Sequence, residues 1–409
     1  MPAGFSGLQS QKSIQDPVHG SISLKDWIVE LIDTPQFQRL RRIKQLGFAS
    51  LVYPGANHTR FEHSIGVLHV AERLIEKLES DVSERTKMEL IASALLHDTG
   101  HAPFSHSSER VVRKYLRREH EDLMDCLRGT EIDDLLESQG LSLKRITYHV
   151  SGKSGFSVIT GEIDADRMDY LVRDSHYTGV AYGVFDISRL IKMIYFDGGN
   201  LIIDGKGLRA AESLLISRFM MYPTVYYHHV CRIAKKMYEK ALERSIEEKA
   251  LELRNLIKMD DYDIICFLRQ QDGFVRDIIN RIDSRNLYKR AVYIGLDRIG
   301  VDIQHISEQR AEREISEISG VDEEEIIVDI PPLEDAKESS AMVNLDGRLM
   351  SLEESSPIVR ALKDAERDAW KMGIYTTKEN LEKVGRAAVS LFNIERRPLQ
   401  KRLDEVLNI

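Results

Sequence analysis

The stretch Leu95-Leu96-His97-Asp98-Thr99-Gly100-His101-Ala102-Pro103-Phe104-Ser105-His106 gathers three histidines and an aspartate. Met88, Ile91, Ala92 and Leu95 recur before it at helical spacing, and Gly100 stands where a helix stops. An imidazole and a carboxylate therefore sit side by side at a helix end, with His101 and His106 just beyond. Burying such groups unpaired costs roughly several kcal/mol each. A divalent cation removes that cost, because neutral imidazole and carboxylate oxygen both coordinate one. Upstream, Thr59-Arg60-Phe61-Glu62 fits a capping box that places His63 in the first turn of a helix. Downstream, Asp166, Tyr170 and Asp174 recur every four residues on one helix face. His63, His97, Asp98 and Asp166 are the candidate metal ligands. Two imidazoles and two carboxylates suit Mn, Fe, Zn, Ni or Mg and do not choose among them. A metal with open positions binds a phosphate oxygen and acidifies water. Arg60, Arg167 and Arg218 can clamp phosphates, and His101, His106 and His120 can hold phosphate or protonate a leaving oxygen.

The elements that must position these residues are mostly helices. Residues 14–24 read as extended segments broken at Pro17 and Gly20. Residues 35–46 read as a helix whose Arg39, Arg41, Arg42 and Lys44 form a solvated basic face, and residues 109–128 as one charged amphipathic helix containing His120. Residues 193–203 read as a hairpin turning at Gly198-Gly199. A long helical region follows over 208–256, which Pro223 should kink or divide. Beyond Asp283 the composition shifts to strands at 291–296 and 326–330, a paired turn at Asp346-Gly347, and helices over 302–318, 358–370 and 378–392. The Gly/Ser stretch 151–155 lacks Walker A spacing and receives no phosphate role. The expected fold is mainly α: a helical core with small β-hairpins over 12–283, a smaller α+β C-terminal lobe over 284–409, and a flexible tail at 1–11.

Composition narrows the function class. A net charge of −9 over 409 residues disfavours broad attraction to nucleic acid or to an anionic membrane, so neither is an expected partner. Cys126, Cys231 and Cys266 are scattered without a CxxC, which fits a reducing compartment and a cytoplasmic location. No apolar run reaches the roughly 20 residues of a membrane span, and residues 1–11 carry no signal-peptide pattern.

The order His63, His97-Asp98, Asp166 matches the H…HD…D pattern of the HD-domain phosphohydrolases. Asp16-Pro17-Val18-His19-Gly20, Asp33-Thr34-Pro35-Gln36-Phe37-Gln38-Arg39-Leu40-Arg41, Arg60-Phe61-Glu62-His63-Ser64 and the block 97–106 resemble the deoxynucleoside triphosphate triphosphohydrolases. The likeness is greatest to the branch in which vertebrate proteins fuse a sterile-alpha-motif domain to the HD domain. It is strong over 12–238 and faint beyond. No sterile-alpha-motif domain fits before residue 12, and functions tied to it are not expected.

The resemblance implies an HD-domain helical core and the reaction dNTP + water to deoxynucleoside + inorganic triphosphate, by attack on the α-phosphorus. It implies metal ligation by His63, His97, Asp98 and Asp166. It places His101, Glu109 and His120 in the catalytic centre and His106 near the α-phosphate and its leaving oxygen. It assigns phosphate contacts to Arg60, Arg167, Tyr170 and Arg218. The deoxyribose would be held by Gln45, Leu46, Asp174 and Tyr226. Glu109 stands where the vertebrate members have Asp, Arg167 where they have Lys, and Tyr227 where they have Gln. Lys12, Asp33, Gln38 and Arg41 match an allosteric site that takes GTP or dGTP between subunits of a dimer or tetramer. Competing readings are another HD-type nucleotidase or phosphodiesterase, and a non-catalytic nucleotide sensor. The set Arg60, Arg167, Arg218, Gln45 and Tyr226 favours a triphosphate substrate.

Overall fold

A computed structural model describes residues 12–78, 82–303, 306–332 and 341–394. Helices dominate, and the strands form three small sheets among those residues, so the fold is mainly α with small β elements, as expected. The tail expected at 1–11 lies outside the described residues. Two compact units are present. The first runs to Asp283 and is rejoined by the chain through Leu362, whereas the sequence pattern drew a single lobe over 284–409. The reason is a parallel pairing. Met342–Leu345 adds to Asn200–Asp204 with Ile202 opposite Met342, and Val343 and Leu352 enter the first unit's core.

That core is built around three helices, Arg60–Ile75, Glu84–Leu96 and Ala165–Thr178. Each has a chemical start signal. Thr59 and Glu62 form the capping box, Ser83 accepts from Thr86 N at 3.1 Å, and Asp164 accepts from Arg167 N at 2.7 Å. Gly179, at φ +74°, stops the third helix in the left-handed conformation. Ile65, Leu68, Leu90, Leu95, Met168 and Leu171 bury their inward stripes almost completely. Each such side chain contributes about 1.5–3 kcal/mol. The ends of these helices carry His63, His97-Asp98 and Asp166.

Two sequence-based helices change in ways that matter for the site, and a third expectation holds. Residues 35–46 are not one helix: Pro35–Gln38 is α-helical, Arg39–Arg42 is a 3₁₀ turn, and Ile43 is extended. Phe37, Leu40 and Ile43 are all fully buried, and this three-residue period suits the tighter helix. Its arginines are not merely solvated, since Arg39 donates to Met259 O at 2.8 Å and to His101 O at 2.7 Å. The helix expected over 109–128 ends at Leu116, because Arg117 is left-handed at φ +53° and turns the chain back. The region 208–256 divides at Pro223 as expected, through a π-helical turn, Tyr222–Tyr226, between Leu208–Met221 and His229–Glu247.

The second unit is a three-stranded antiparallel sheet with Met372–Thr376 at its centre, flanked by Lys289–Ile294 and Ile326–Asp329. Helices Glu308–Ser319 and Leu381–Leu391 cover it with Ala311, Ile315, Val384 and Ala388. The central strand escaped the sequence reading. All five of its residues are buried, so no alternation marks it.

Candidate active site

His63 and His97 turn their Nε2 atoms towards each other at 3.4 Å. Each ring is fixed by an acceptor on its other nitrogen: His63 Nδ1 donates to Asp169 Oδ2 at 2.8 Å, and His97 Nδ1 donates to Ala94 O at 2.9 Å. Both Nε2 lone pairs therefore face one point when the rings are neutral. Asp98 brings Oδ1 to 3.4 Å from His97 Nε2, and Asp166 brings Oδ1 to 3.0 Å from His63 Nε2. Ligand atoms of His63, His97 and Asp98 all lie within 4.8 Å of one another. The donor set fits a divalent ion: two imidazole nitrogens with preset tautomers and two carboxylates, closed on the protein side. Burial would lower the His63 pKa, but contacts with Asp166 and Asp169 and the charge of Asp98 raise it to about 10. Burial opposes ionisation of Asp166, yet His63 and His97 hold it below the usual range.

Arg60 is the buried counter-ion of Asp98. Its Nη1 donates to Asp98 Oδ2 at 2.6 Å and its Nε to Ser105 Oγ at 2.6 Å, leaving Nη2 as a buried nitrogen without a partner among the described residues. Ser105, at φ +53°, in turn donates to Lys44 O at 2.9 Å. Beside Asp98 lies a second cluster. His101 stacks on His120 with centroids 4.1 Å apart, and Glu109 reaches His120 Nδ1 at 2.6 Å and His106 Nδ1 at 2.9 Å. Glu109 thus spans two imidazoles. Burial and the neighbouring Arg60 and His120 charges push His101 well below the ordinary histidine range. Burial resists ionisation of Glu109, but His106, His120 and His101 lower it overall, while Glu109 raises His120 against its own burial. His106 is exposed, with Nδ1 engaged by Glu109. Its Nε2 is therefore the nitrogen available to a ligand. The helix break at Arg117 returns His120 to this place.

The predicted substrate residues form two connected groups. Arg167 is tied to Asp164, and Arg218 lies over the Tyr222 ring at 5.5 Å. Burial raises Tyr170, with the Arg167 and Arg218 charges acting against it. In the second group Tyr226 OH donates to Asp174 Oδ2 at 2.8 Å, His58 Nε2 lies 2.7 Å from Asp174 Oδ1, and Gln45 N donates to His58 O at 3.0 Å. Gln45 Oε1 is buried without a partner among the described residues, and Leu46 packs against the core edge. Tyr170 and Tyr226 join the groups, 6.2 Å between centroids.

The predicted effector residues lie at the surface. Lys12 begins the first strand, Asp33 is exposed after helix Asp26–Ile32, Gln38 donates to Ile32 O at 2.8 Å, and Arg41 donates to Gln38 Oε1 at 2.8 Å while stacking 3.4 Å above Phe61. Sequence reasoning assigned no role to Asp169, Arg173, His19, His58 or Asp261. Asp261 accepts backbone hydrogens from Phe104 at 2.6 Å and Lys44 at 2.9 Å, which holds the loop ahead of His106. Two of these left a trace in the sequence: His19 stands in the Asp16–Gly20 motif, and Asp169 is an acid three residues after Asp166 on the helix that packs against His63.

The chain matches an HD domain over residues 60–174 and an HD associated region over 185–403. An uncharacterized protein of Methanocaldococcus jannaschii is 37% identical, over 91% of this chain and 81% of that protein. A protein of Dictyostelium discoideum named as a deoxynucleoside triphosphate triphosphohydrolase SAMHD1 homolog is 31% identical, over 79% of this chain and 68% of its own. The crystal structure of a hypothetical protein from Aquifex aeolicus superposes with a TM-score of 0.74 at 30% identity, covering 92% of this chain and 99% of that one. With its H…HD…D residues gathered at one point, the chain belongs to the HD-domain phosphohydrolase family, among the SAMHD1-type homologues that carry an HD associated region.

Proposed function

We propose that the protein is a metal-dependent deoxynucleoside triphosphate triphosphohydrolase. The observation that carries this reading is the adjacency of two clusters through Asp98. One is the His63/His97/Asp98 donor set with Asp166 beside His63, and the other is the His101/Glu109/His120 group, with His101 Nε2 at 3.3 Å from Asp98 Oδ1. A divalent ion held by the first cluster would supply Lewis acidity and an acidified water. The chain's own residues do the rest. Arg167, Arg218 and Tyr170 bind triphosphate oxygens and align the α-phosphorus. His106, its Nδ1 held by Glu109, donates a proton from Nε2 to the departing O5′. Water oxygen bonds to the α-phosphorus, the P–O5′ bond breaks, and deoxynucleoside and inorganic triphosphate leave. Tyr226, braced by Asp174, with Gln45 and Leu46, closes the space beside C2′ and favours 2′-deoxy sugars. Four dNTPs tested with Mn(II) or Mg(II), products separated by ion exchange, decide between readings. Triphosphate supports the proposal, diphosphate or phosphate identifies another nucleotidase chemistry, and binding without turnover identifies a sensor.

The same reading includes control by GTP or dGTP. Asp33 would accept from a guanine edge, Gln38 would read the same base, and Arg41 and Lys12 would balance its phosphates, in a site completed by a second copy of the chain. Turnover of dTTP, with and without GTP and alongside mass measurement in solution, tests it. Asp33→Ala should lose the activation, and an unchanged rate and mass on adding GTP to wild type refute it.

A further inference from the structure

The motif Asp16-Pro17-Val18-His19-Gly20 takes no part in the proposed reaction, yet it stands two hydrogen bonds from a metal-facing histidine. Lys12–Asp16 and Gly20–Leu24 form a hairpin, and Asp16 Oδ1 builds its turn by accepting from Val18 N at 2.9 Å and His19 N at 2.8 Å. The turn aims His19 inward, where Nε2 lies 2.7 Å from Asp169 Oδ1. Asp169 is wholly buried, and its other oxygen accepts from His63 Nδ1 at 2.8 Å. Arg173 completes the set, donating from Nε to Asp169 Oδ2 at 2.8 Å, from Nη2 to Asp169 Oδ1 at 2.9 Å, and from Nη1 to Asp16 Oδ2 at 2.8 Å.

The count of donors decides the interpretation. A carboxylate offers about four lone-pair sites. Asp169 meets four donors: two from Arg173, one from His63 and one from His19. Arg173 supplies one positive charge shared between Asp169 and Asp16, and the histidine from the hairpin supplies the fourth hydrogen bond. What it adds is direction: with all four sites taken, the carboxylate cannot swing away from His63. The backbone is adapted to this closeness. A Cβ on Gly66, in the His63 helix, would lie 1.9 Å from Asp169 Oδ1 and 2.3 Å from Arg173 Nη2.

We propose that His19 and Asp169 are positioning residues for the metal centre: the N-terminal hairpin, through His19, locks the carboxylate that decides which nitrogen of His63 faces the ion. This rests on the metal-centre reading above. Partners of this kind, one step behind a ligand, typically change metal affinity by about 10–100-fold when removed. His19→Phe keeps the ring and loses the donor, whereas His19→Gln restores an amide donor at the same reach. The test measures Mn(II) affinity of the full-length protein from the free-ion electron paramagnetic resonance signal, with melting temperature recorded on the same samples. Glu89→Gln removes a buried carboxylate from another part of the first unit, where it faces Arg145 and His149, and serves as the stability control. His19→Phe should weaken Mn(II) binding about tenfold, with His19→Gln close to wild type and Glu89→Gln unchanged in affinity even where it melts earlier. Asp169→Asn should weaken it further, and if that variant does not fold, the His19 pair carries the test. Wild-type affinity in His19→Phe overturns the proposal. So does a loss of affinity in Glu89→Gln that matches its loss of melting temperature. A wild-type protein that takes up no Mn(II), Fe(II), Zn(II) or Mg(II) overturns the metal centre itself, an outcome distinct from failure of the positioning role.

Discussion

Replacing Gly100 by alanine disturbs the second cluster without touching any reacting side chain. A Cβ there would lie 2.0 Å from the His120 carbonyl oxygen and 3.1 Å from its carbon, where real Cβ atoms essentially never come within 3.0 Å. The gap must open by about 1 Å, an overpacking of the kind that costs about 1–3 kcal/mol. Which side yields is set by anchoring. The turn His97–Gly100 is pinned by Arg39, which donates to Thr99 O at 3.3 Å and His101 O at 2.7 Å. The segment carrying His120 follows a left-handed Arg117, and among the described residues no hydrogen bond reaches the His120 carbonyl, so His120 should withdraw. Its 2.6 Å approach to Glu109 and its stacking on His101 would then be lost. A displacement of about 1 Å in a catalytic group costs on the order of a hundredfold in rate, or about 2.7 kcal/mol of barrier. The assay is kcat for triphosphate release together with metal content by elemental analysis. Gly100→Ala should keep its metal and lose about two orders of magnitude in kcat. Wild-type kcat, or loss of metal in step with rate, refutes the reasoning.

Three further outcomes follow from the same geometry. Asp98→Asn keeps an acceptor for Arg60 but removes a ligand charge, so bound metal and turnover should fall together, and full metal with normal turnover contradicts the centre. Tyr226→Ala should reduce the ratio of kcat/KM for dGTP over GTP by about tenfold, because it opens the space beside C2′; an unchanged ratio removes Tyr226 from sugar selection. His120 is raised above 6.5, burial opposing and Glu109 prevailing, so the folded chain holds that proton more tightly than the unfolded chain. The pair's stabilisation is therefore full below about pH 6.5 and is lost as pH rises through the folded value. Glu109→Gln should cost most stability near pH 6 and less at alkaline pH in urea denaturation, and a pH-independent difference contradicts the pairing.

The sequence exposed the polar pole of the molecule better than its supports. His97-Asp98 at a helix end, the Thr59/Glu62 box that starts the His63 helix, and the four-residue spacing from Asp166 to Asp174 are local signals, and each sits where those signals place it. His120 was legible by type but not by position, because a single left-handed residue, Arg117, redirects the chain that charge periodicity would continue as a helix. The basic residues after Pro35 misled for a similar reason. Arg39 is satisfied by carbonyls some sixty and two hundred residues away, at His101 and Met259, and no local pattern encodes such partners. Asp169 was hidden because a buried carboxylate inside a helix looks like any surface acid until Arg173, His19 and His63 are seen around it. Met372–Thr376 was hidden by complete burial, which removes the alternation that marks a strand.

The central claim is that water attacks the α-phosphorus, and hydrolysis of a dNTP in water enriched in heavy oxygen tests it most directly. Mass spectrometry of the products should find one heavy oxygen at the former α-phosphate end of inorganic triphosphate, and none in the deoxynucleoside. Label in free phosphate from the γ-position, in pyrophosphate, or in the nucleoside hydroxyl would contradict the account.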